Sequence, residues 1–197
     1  MRKGEATKAR IVEEAAKQAG LRGLTNVSLS DIAEAVGLSK SGLFKHFDSK
    51  EAMQVAVVEH VMQQFADFTW RPVETLPTAR ARLEKIFDLW LDWEEKVWPD
   101  SGCPIMAFSL ELDDQPGPVR DLLLKRLSHW RKTLVREMMA LRDPPLSEAE
   151  AQAAYFQMKS FAMGHTDSRR MMGDADGRRS ATAAFDALLD RTARAAA

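Results

Sequence analysis

Apolar residues recur along this chain at intervals of three and four, the period of a helix, and no stretch alternates apolar and polar residues between hairpin turns as a strand would. Ile11, Ala15, Ala16 and Ala19 share one face of a helix predicted over about residues 7–23. After a link at residues 24–27, Ser28 heads a short helix with Asp31 at capping-box spacing and Ile32, Ala33 and Val36 on its inner face. Gly37 falls where a helix ends in a left-handed residue, Leu38 fills the turn, and Ser39 caps a second short helix over about 40–47. Asp48, with Glu51 three residues on, predicts a third helix over about 49–70 whose inner face carries Met53, Val57, Val61 and Phe65. Pro72 and Pro77 bound a linker. Further helices are predicted over about 78–97, 105–112, 119–141, 147–172 and 176–195, separated by breaks rich in Pro, Gly and Asp. The expectation is an all-α chain of about nine helices.

Residues 28–51 are the most informative. A short helix, a Gly-containing turn and a second short helix make a helix-turn-helix. At 100° per residue Leu43 and Phe47 fall together on the inner side, and Lys40, Ser41, Phe44 and Lys45 fall on the other. Gly42 interrupts the helix without a side chain, which costs roughly 1 kcal/mol relative to Ala; close approach of the backbone to a partner is one reason to keep it. Lys50 sits in the first turn of the third helix, where the macrodipole disfavours a cation unless an anion lies nearby. The plainer reading of the same pattern is three amphipathic helices with a solvated lysine face.

Charge and composition narrow the class. The chain has 197 residues, 45% hydrophobic and 29% charged, as expected of a soluble globular protein. Its net charge of −1 does not advertise nucleic-acid binding, yet residues 1–50 hold 9 Lys/Arg against 6 Asp/Glu and the remainder 19 against 23. A slightly basic head on an acidic body suits a DNA-binding end. The start has no apolar signal segment, and no apolar run approaches the ~18 residues of a membrane span. A lone cysteine, Cys103, excludes an intramolecular disulfide framework, so a cytoplasmic protein is expected. The four histidines show no metal-ligand spacing. No nucleophile–base pair or phosphate loop points to catalysis, so neither metal nor cofactor is expected and an enzyme is not.

The residues Asp31-Ile32-Ala33, Val36-Gly37-Leu38-Ser39-Lys40, Leu43-Phe44-Lys45-His46-Phe47 and Ser49-Lys50-Glu51 resemble the DNA-binding segment of the TetR (tetracycline repressor) family of bacterial regulators. The likeness reaches back to about Lys8, and the break around 102–121 resembles a stretch found in some members. Two departures stand out: Phe44 replaces the usual Tyr, whose phenol commonly bonds a phosphate, and Ser41-Gly42 replaces a Gly-Thr or Gly-Ser pair. The resemblance implies a helix-turn-helix DNA-binding domain over 1–51, its last helix continuing to about 70, and a ligand-binding and dimerisation domain over 52–197. It implies that Thr25, Ser39, Phe44, His46 and Lys50 line the DNA backbone, while Lys40, Ser41 and Lys45 reach bases or phosphates and Gly42 permits close approach. Arg2 and Lys3 would add a basic arm.

In the body, Trp90, Trp93, Cys103, Met106, Phe108, Leu110 and Trp130 form an aromatic and sulfur-rich set suited either to plain core or to a cavity for an apolar effector. Ser109, Glu111, His129 and His165 are candidate polar handles. Tyr155, Met158, Ala162, Phe185 and Leu188 on the last two helices suit either intrachain packing or a four-helix interface between two copies. The partners implied are a palindromic double-stranded DNA operator, a small apolar effector and a second copy of the chain, with no membrane. The function expected is a ligand-responsive regulator, a repressor released from its operator by the effector. The alternative from another class is an all-α carrier or enzyme that uses the body cavity.

Overall fold

The fold was obtained as a computed structural model, which describes residues 3–194, without the side chain of Lys3. Arg2 of the expected basic arm and Ala195 of the last expected helix lie outside the described residues. Among these there are nine α-helices and no strand: α1 Lys3–Arg22, α2 Leu29–Ala35, α3 Lys40–Phe44, α4 Lys50–Thr69, α5 Ala79–Asp92, α6 Pro104–Glu111, α7 Pro118–Met139, α8 Glu148–Arg170 and α9 Gly177–Ala193. A 3₁₀ turn, Arg71–Val73, follows α4, and α5 passes directly into a π-helical turn, Trp93–Val97.

The ends of these helices are set by local chemistry. Ser28, Ser39, Thr78 and Ser147 cap α2, α3, α5 and α8, each accepting a backbone N–H through its hydroxyl. At Ser147 the reciprocal bond from its own N–H to Glu150 completes a capping box. Between α2 and α3 the chain reverses through Gly37 at φ +70°. The Leu38 N–H reaches the Ala33 carbonyl at 2.8 Å and the Gly37 N–H reaches that of Glu34 at 3.0 Å, the paired bonds of a Schellman turn. Two expectations are corrected. The second helix of the motif is shorter than 40–47, because Lys45 is already its C-cap. The third is capped by Ser49, whose hydroxyl accepts the Ala52 N–H at 3.0 Å, and not by Asp48.

The chain forms two compact units that are discontinuous in sequence: one runs up to Gln64 and adds Cys103–Arg126, the other holds Phe65–Gly102 and the chain from Leu127 onward. In the first, Ile11, Ala15, Ala19, Leu24, Ile32, Leu43, Met53 and Val57 are fully excluded from solvent. Each such aliphatic side chain contributes about 1.5–3 kcal/mol of burial for the larger ones. α6 packs against α1 within this unit, and Arg126 pairs with Glu59 of α4. The second unit is built on the α8–α9 pair, with α5 against both. Phe87 of α5 stacks on Phe185 of α9 with ring centroids 4.3 Å apart. Arg178 of α9 binds Asp88 and Asp92 of α5 and Glu95 of the π turn, at 2.5, 2.9 and 2.6 Å.

Candidate nucleic-acid interface and effector site

The turn described above fixes where α3 starts, and the side chains then divide as the helical period requires. Leu43 and Phe47 are buried, with the ammonium of Lys8 lying 4.9 Å from the centre of the Phe47 ring. Lys40, Ser41, Phe44 and Lys45 are all exposed, Phe44 to 41%. An aromatic ring left that open costs burial energy, so its position is one at which a partner can gain. Ser39 is exposed and His46 half-buried. The Ser39 hydroxyl takes the Gly42 N–H at 3.0 Å and lies 3.0 Å from that of Ser41. A Cβ on Gly42 would stand 3.2 Å from this cap oxygen, an intrachain reason for glycine there.

Thr25 and Lys50 meet, although 25 positions apart: the Lys50 ammonium donates to the Thr25 carbonyl at 2.5 Å. Glu111, at the end of α6, joins them. Its carboxylate accepts the Leu24 and Thr25 N–H groups at 2.7 Å each, and the Thr25 hydroxyl in a shorter contact. Glu111 was an expected effector handle; here it is spent on the first unit.

The residues expected to line an effector cavity are divided between the two compact units. Trp90, Trp93 and Trp130 surround Phe65 edge to face in the second unit, with centroids 5.8, 5.4 and 5.2 Å from it. Cys103, Met106, Phe108 and Leu110 belong to α6 and its cap in the first unit. Cys103 and Phe108 are buried there and Met106 is half-buried. Leu110 is 68% exposed, so it lines no enclosed space.

The second unit also holds polar groups that its own side chains do not satisfy. The indole N–H groups of Trp90, Trp93, Trp98 and Trp130 are buried without a hydrogen-bond partner. Glu94, on the π turn, is 0% exposed. One of its oxygens accepts the Thr166 hydroxyl at 2.6 Å and the other has no partner. Burial pushes its carboxyl up to about 7, against the opposing pull of that bond and of Arg169. His165 is equally buried; its Nε2 comes within 3.2 Å of Glu95 without hydrogen-bond alignment, and burial holds its pKa below the usual histidine range. Glu94 was not singled out in the sequence. The available signal was its spacing: it follows Trp90 by four positions, on the apolar face of α5. Among the described residues no group of His, Cys, Asp or Glu side chains could hold a metal ion, and no helix is long and apolar enough to cross a membrane.

The expected interface residues are corrected in the same way. Met158, Ala162, Phe185 and Leu188 are buried within the chain's own α8–α9 core, and Tyr155 is half-buried. The strongest apolar periodicity marks the face a helix turns inward, so it selected the intrachain side. The outward face of α8 carries Ala153, Phe156, Ser160, Met163 and Gly164, with Phe156 70% and Met163 39% exposed.

Residues 11–57 match the family described as "Bacterial regulatory proteins, tetR family", and residues 79–185 match "Tetracyclin repressor-like, C-terminal domain". The chain is 35% identical over 82 residues to the HTH-type transcriptional repressor KstR2 of Mycolicibacterium smegmatis, a match covering 41% of this chain and 38% of the length of that relative. Among solved structures, a TetR transcriptional regulator from Chloroflexus aurantiacus J-10-fl superimposes with a TM-score of 0.82 at 23% identity, over 96% of each chain. AibR, in complex with isovaleryl coenzyme A and operator DNA, does so with a TM-score of 0.72 at 17% identity, over 94% of this chain and 97% of its own. At these identities the two structures speak for the fold alone.

Proposed function

The chain belongs to the TetR family of bacterial transcriptional regulators, and from that premise we propose that it is a ligand-responsive repressor that binds a palindromic operator as a homodimer and leaves it when a small molecule binds. The observation that carries this reading is the exposed face of α3. Four side chains able to engage DNA, Lys40, Ser41, Phe44 and Lys45, project from a helix whose other side is sealed into the core. In a helix-turn-helix the second helix enters the major groove. Lys45 reads a base edge there, with guanine acceptors the best match for an ammonium. Lys40, Ser41, Thr25, Ser39, Phe44, His46 and Lys50 contact the backbone and supply most of the affinity, and Gly42 lets the helix approach closely. DNA binding is assigned to residues 1–51, and effector binding and dimerisation to residues 52–197.

One five-residue helix reads too little sequence alone, so two copies are required. Their contact is assigned to the outward stripe Ala153, Phe156, Ser160, Met163 and Gly164 of α8, where large apolar side chains stand exposed beside small ones. The effector is assigned to the tryptophan cluster, as an apolar molecule with polar groups that meet the unpartnered indole N–H groups, Glu94 or His165. That AibR has been seen with both an acyl-coenzyme A and operator DNA supports a small-molecule partner for this fold. Half-sites repeat at roughly 34–36 Å, so an effector that favours any other spacing of the two DNA-binding ends lowers affinity, provided it binds the two states unequally. The protein is proposed to act in the cytoplasm. The test is selection of bound sequences from random duplexes with the purified chain, followed by a screen for small molecules that release the selected duplex. An enriched palindrome bound in a salt-dependent manner is expected. No duplex binding at low salt would overturn the proposal.

A further inference from the structure

The main-chain N–H groups of Leu24 and Thr25 point the same way, toward the two oxygens of Glu111, and the Thr25 hydroxyl joins them. The geometry is enforced from behind. Gln54 donates at 3.1 Å to the Leu24 carbonyl, the other end of the peptide that carries the Thr25 N–H, and Lys50 holds the Thr25 carbonyl of the next peptide. Gly23, at φ +89°, adds no side chain; a Cβ there would lie 3.1 Å from Glu111 Oε1. Two adjacent N–H groups, a hydroxyl and an ammonium on the neighbouring carbonyl make a nest for an oxyanion. It is filled here by a carboxylate from 86 residues further along the chain. Thr25 and Glu111 are half-buried and Lys50 is exposed, while Leu24 is fully buried with the carboxylate in place.

A nest of this chemistry receives a phosphate oxygen as readily as a carboxylate, and backbone N–H groups and Thr hydroxyls are ordinary phosphate ligands in protein–DNA contacts. It cannot hold two anions at once. We propose that Glu111 is an internal competitor for a DNA phosphate: in the free protein it occupies the phosphate site of Leu24, Thr25 and Lys50, and the duplex binds there only when the Glu111 carboxylate withdraws. This rests on the DNA-binding reading above and adds a residue outside the helix-turn-helix to it. Because Glu111 is carried by α6, docking of the α6 end and full engagement of DNA become alternative states. Any ligand that biases α6 toward one of them changes DNA affinity by its differential affinity for the two.

The test is fluorescence anisotropy with a labelled random-sequence duplex and with the selected operator, comparing the unaltered chain with Glu111→Gln at matched fold by circular dichroism. The neutral amide keeps the shape and removes the competing charge. Binding is expected to tighten about tenfold per head, the scale of one charge-assisted hydrogen bond, and equally for both duplexes, since a phosphate carries no sequence information. A folded Glu111→Gln chain that binds equally or more weakly would make Glu111 a structural brace and overturn the proposal. A second reading uses the unaltered chain alone: the Leu24 and Thr25 amide resonances and the Glu111 carboxyl carbon should all shift on saturation with duplex. If they stay put while the α3 resonances move, the nest keeps its carboxylate and the proposal fails even if the variant does not fold. Absence of duplex binding by both chains would instead sink the DNA-binding reading together with it.

Discussion

Replacing Glu94 by Gln should stabilise the protein at pH 8 and leave it nearly unchanged at pH 5. Glu94 is fully buried on the π turn, and its carboxyl is raised from 4.5 to about 7 chiefly by loss of solvent. Below pH 4.5 the group is neutral in the folded and the unfolded chain and has no linkage effect. As pH rises above 4.5 the unfolded chain releases the proton and the folded chain keeps it, so stability falls until pH 7 and is level above that. At about 1.36 kcal/mol per pKa unit, the full penalty is about 3 kcal/mol. Gln never ionises, and its side-chain carbonyl can still accept the Thr166 hydroxyl. His165 works in the opposite direction: its lowered pKa makes the folded chain resist protonation, so its contribution is lost as pH falls below 6.5. That term is common to both proteins and cancels in their difference. The assay is urea unfolding of wild type and Glu94→Gln at pH 5 and pH 8. The difference between them should grow by about 3 kcal/mol across that range, or roughly 6–12 °C in melting temperature for a chain of this size. A difference that is flat with pH, or a variant less stable at pH 8, would mean that Glu94 is ionised and paired in the folded protein, and the account of that site would be wrong.

Lys45→Ala should lose ~1–3 kcal/mol of discrimination at one base position per half-site, whereas Lys50→Ala should weaken all sequences alike and flatten the salt slope by about one per head; duplex titrations at several salt concentrations separate the two. Phe44→Tyr should leave the melting temperature unchanged and tighten DNA binding by up to ~1.5 kcal/mol, because the exposed ring gains a hydroxyl able to bond a phosphate; a large drop in melting temperature would show the ring to be core. Phe156→Glu should give folded monomers by light scattering, since the side chain is exposed in the single chain, while Met158→Glu two positions away should destabilise the fold itself because that site is fully buried; dimers persisting in Phe156→Glu would move the interface off α8.

The helix-turn-helix could be read from the sequence because its determinants are local. Ser28, Gly37 and Ser39 act on backbone groups within five positions of themselves, and the structure uses all three as caps or turn. Asp48 has the capping-box spacing to Glu51 and reads as the cap of α4, but the hydroxyl of the adjacent Ser49 takes that role. The interface residues failed for a different reason: the most regular apolar face of α8 is the one its own chain covers, so periodicity found Met158 and Ala162 and passed over Phe156 and Met163. The π turn has no signature of its own, and it carries Glu94 inward. Glu111 was visible only as a carboxylate near apolar residues; that it would cap Leu24 and Thr25 is a long-range pairing that no spacing encodes.

All five tryptophans, at positions 70, 90, 93, 98 and 130, and the single tyrosine, Tyr155, lie in the second compact unit. The first unit, with the helix-turn-helix, has none and so contributes nothing to tryptophan emission. The molecule therefore comes with its reporter already segregated. Quenching or a shift of the emission when a small molecule is added reads the tryptophan cluster directly, with no label. Emission that responds to a duplex is a different matter: the light comes from one unit and the DNA is held by the other, so the size of that response measures how strongly each feels the other's ligand.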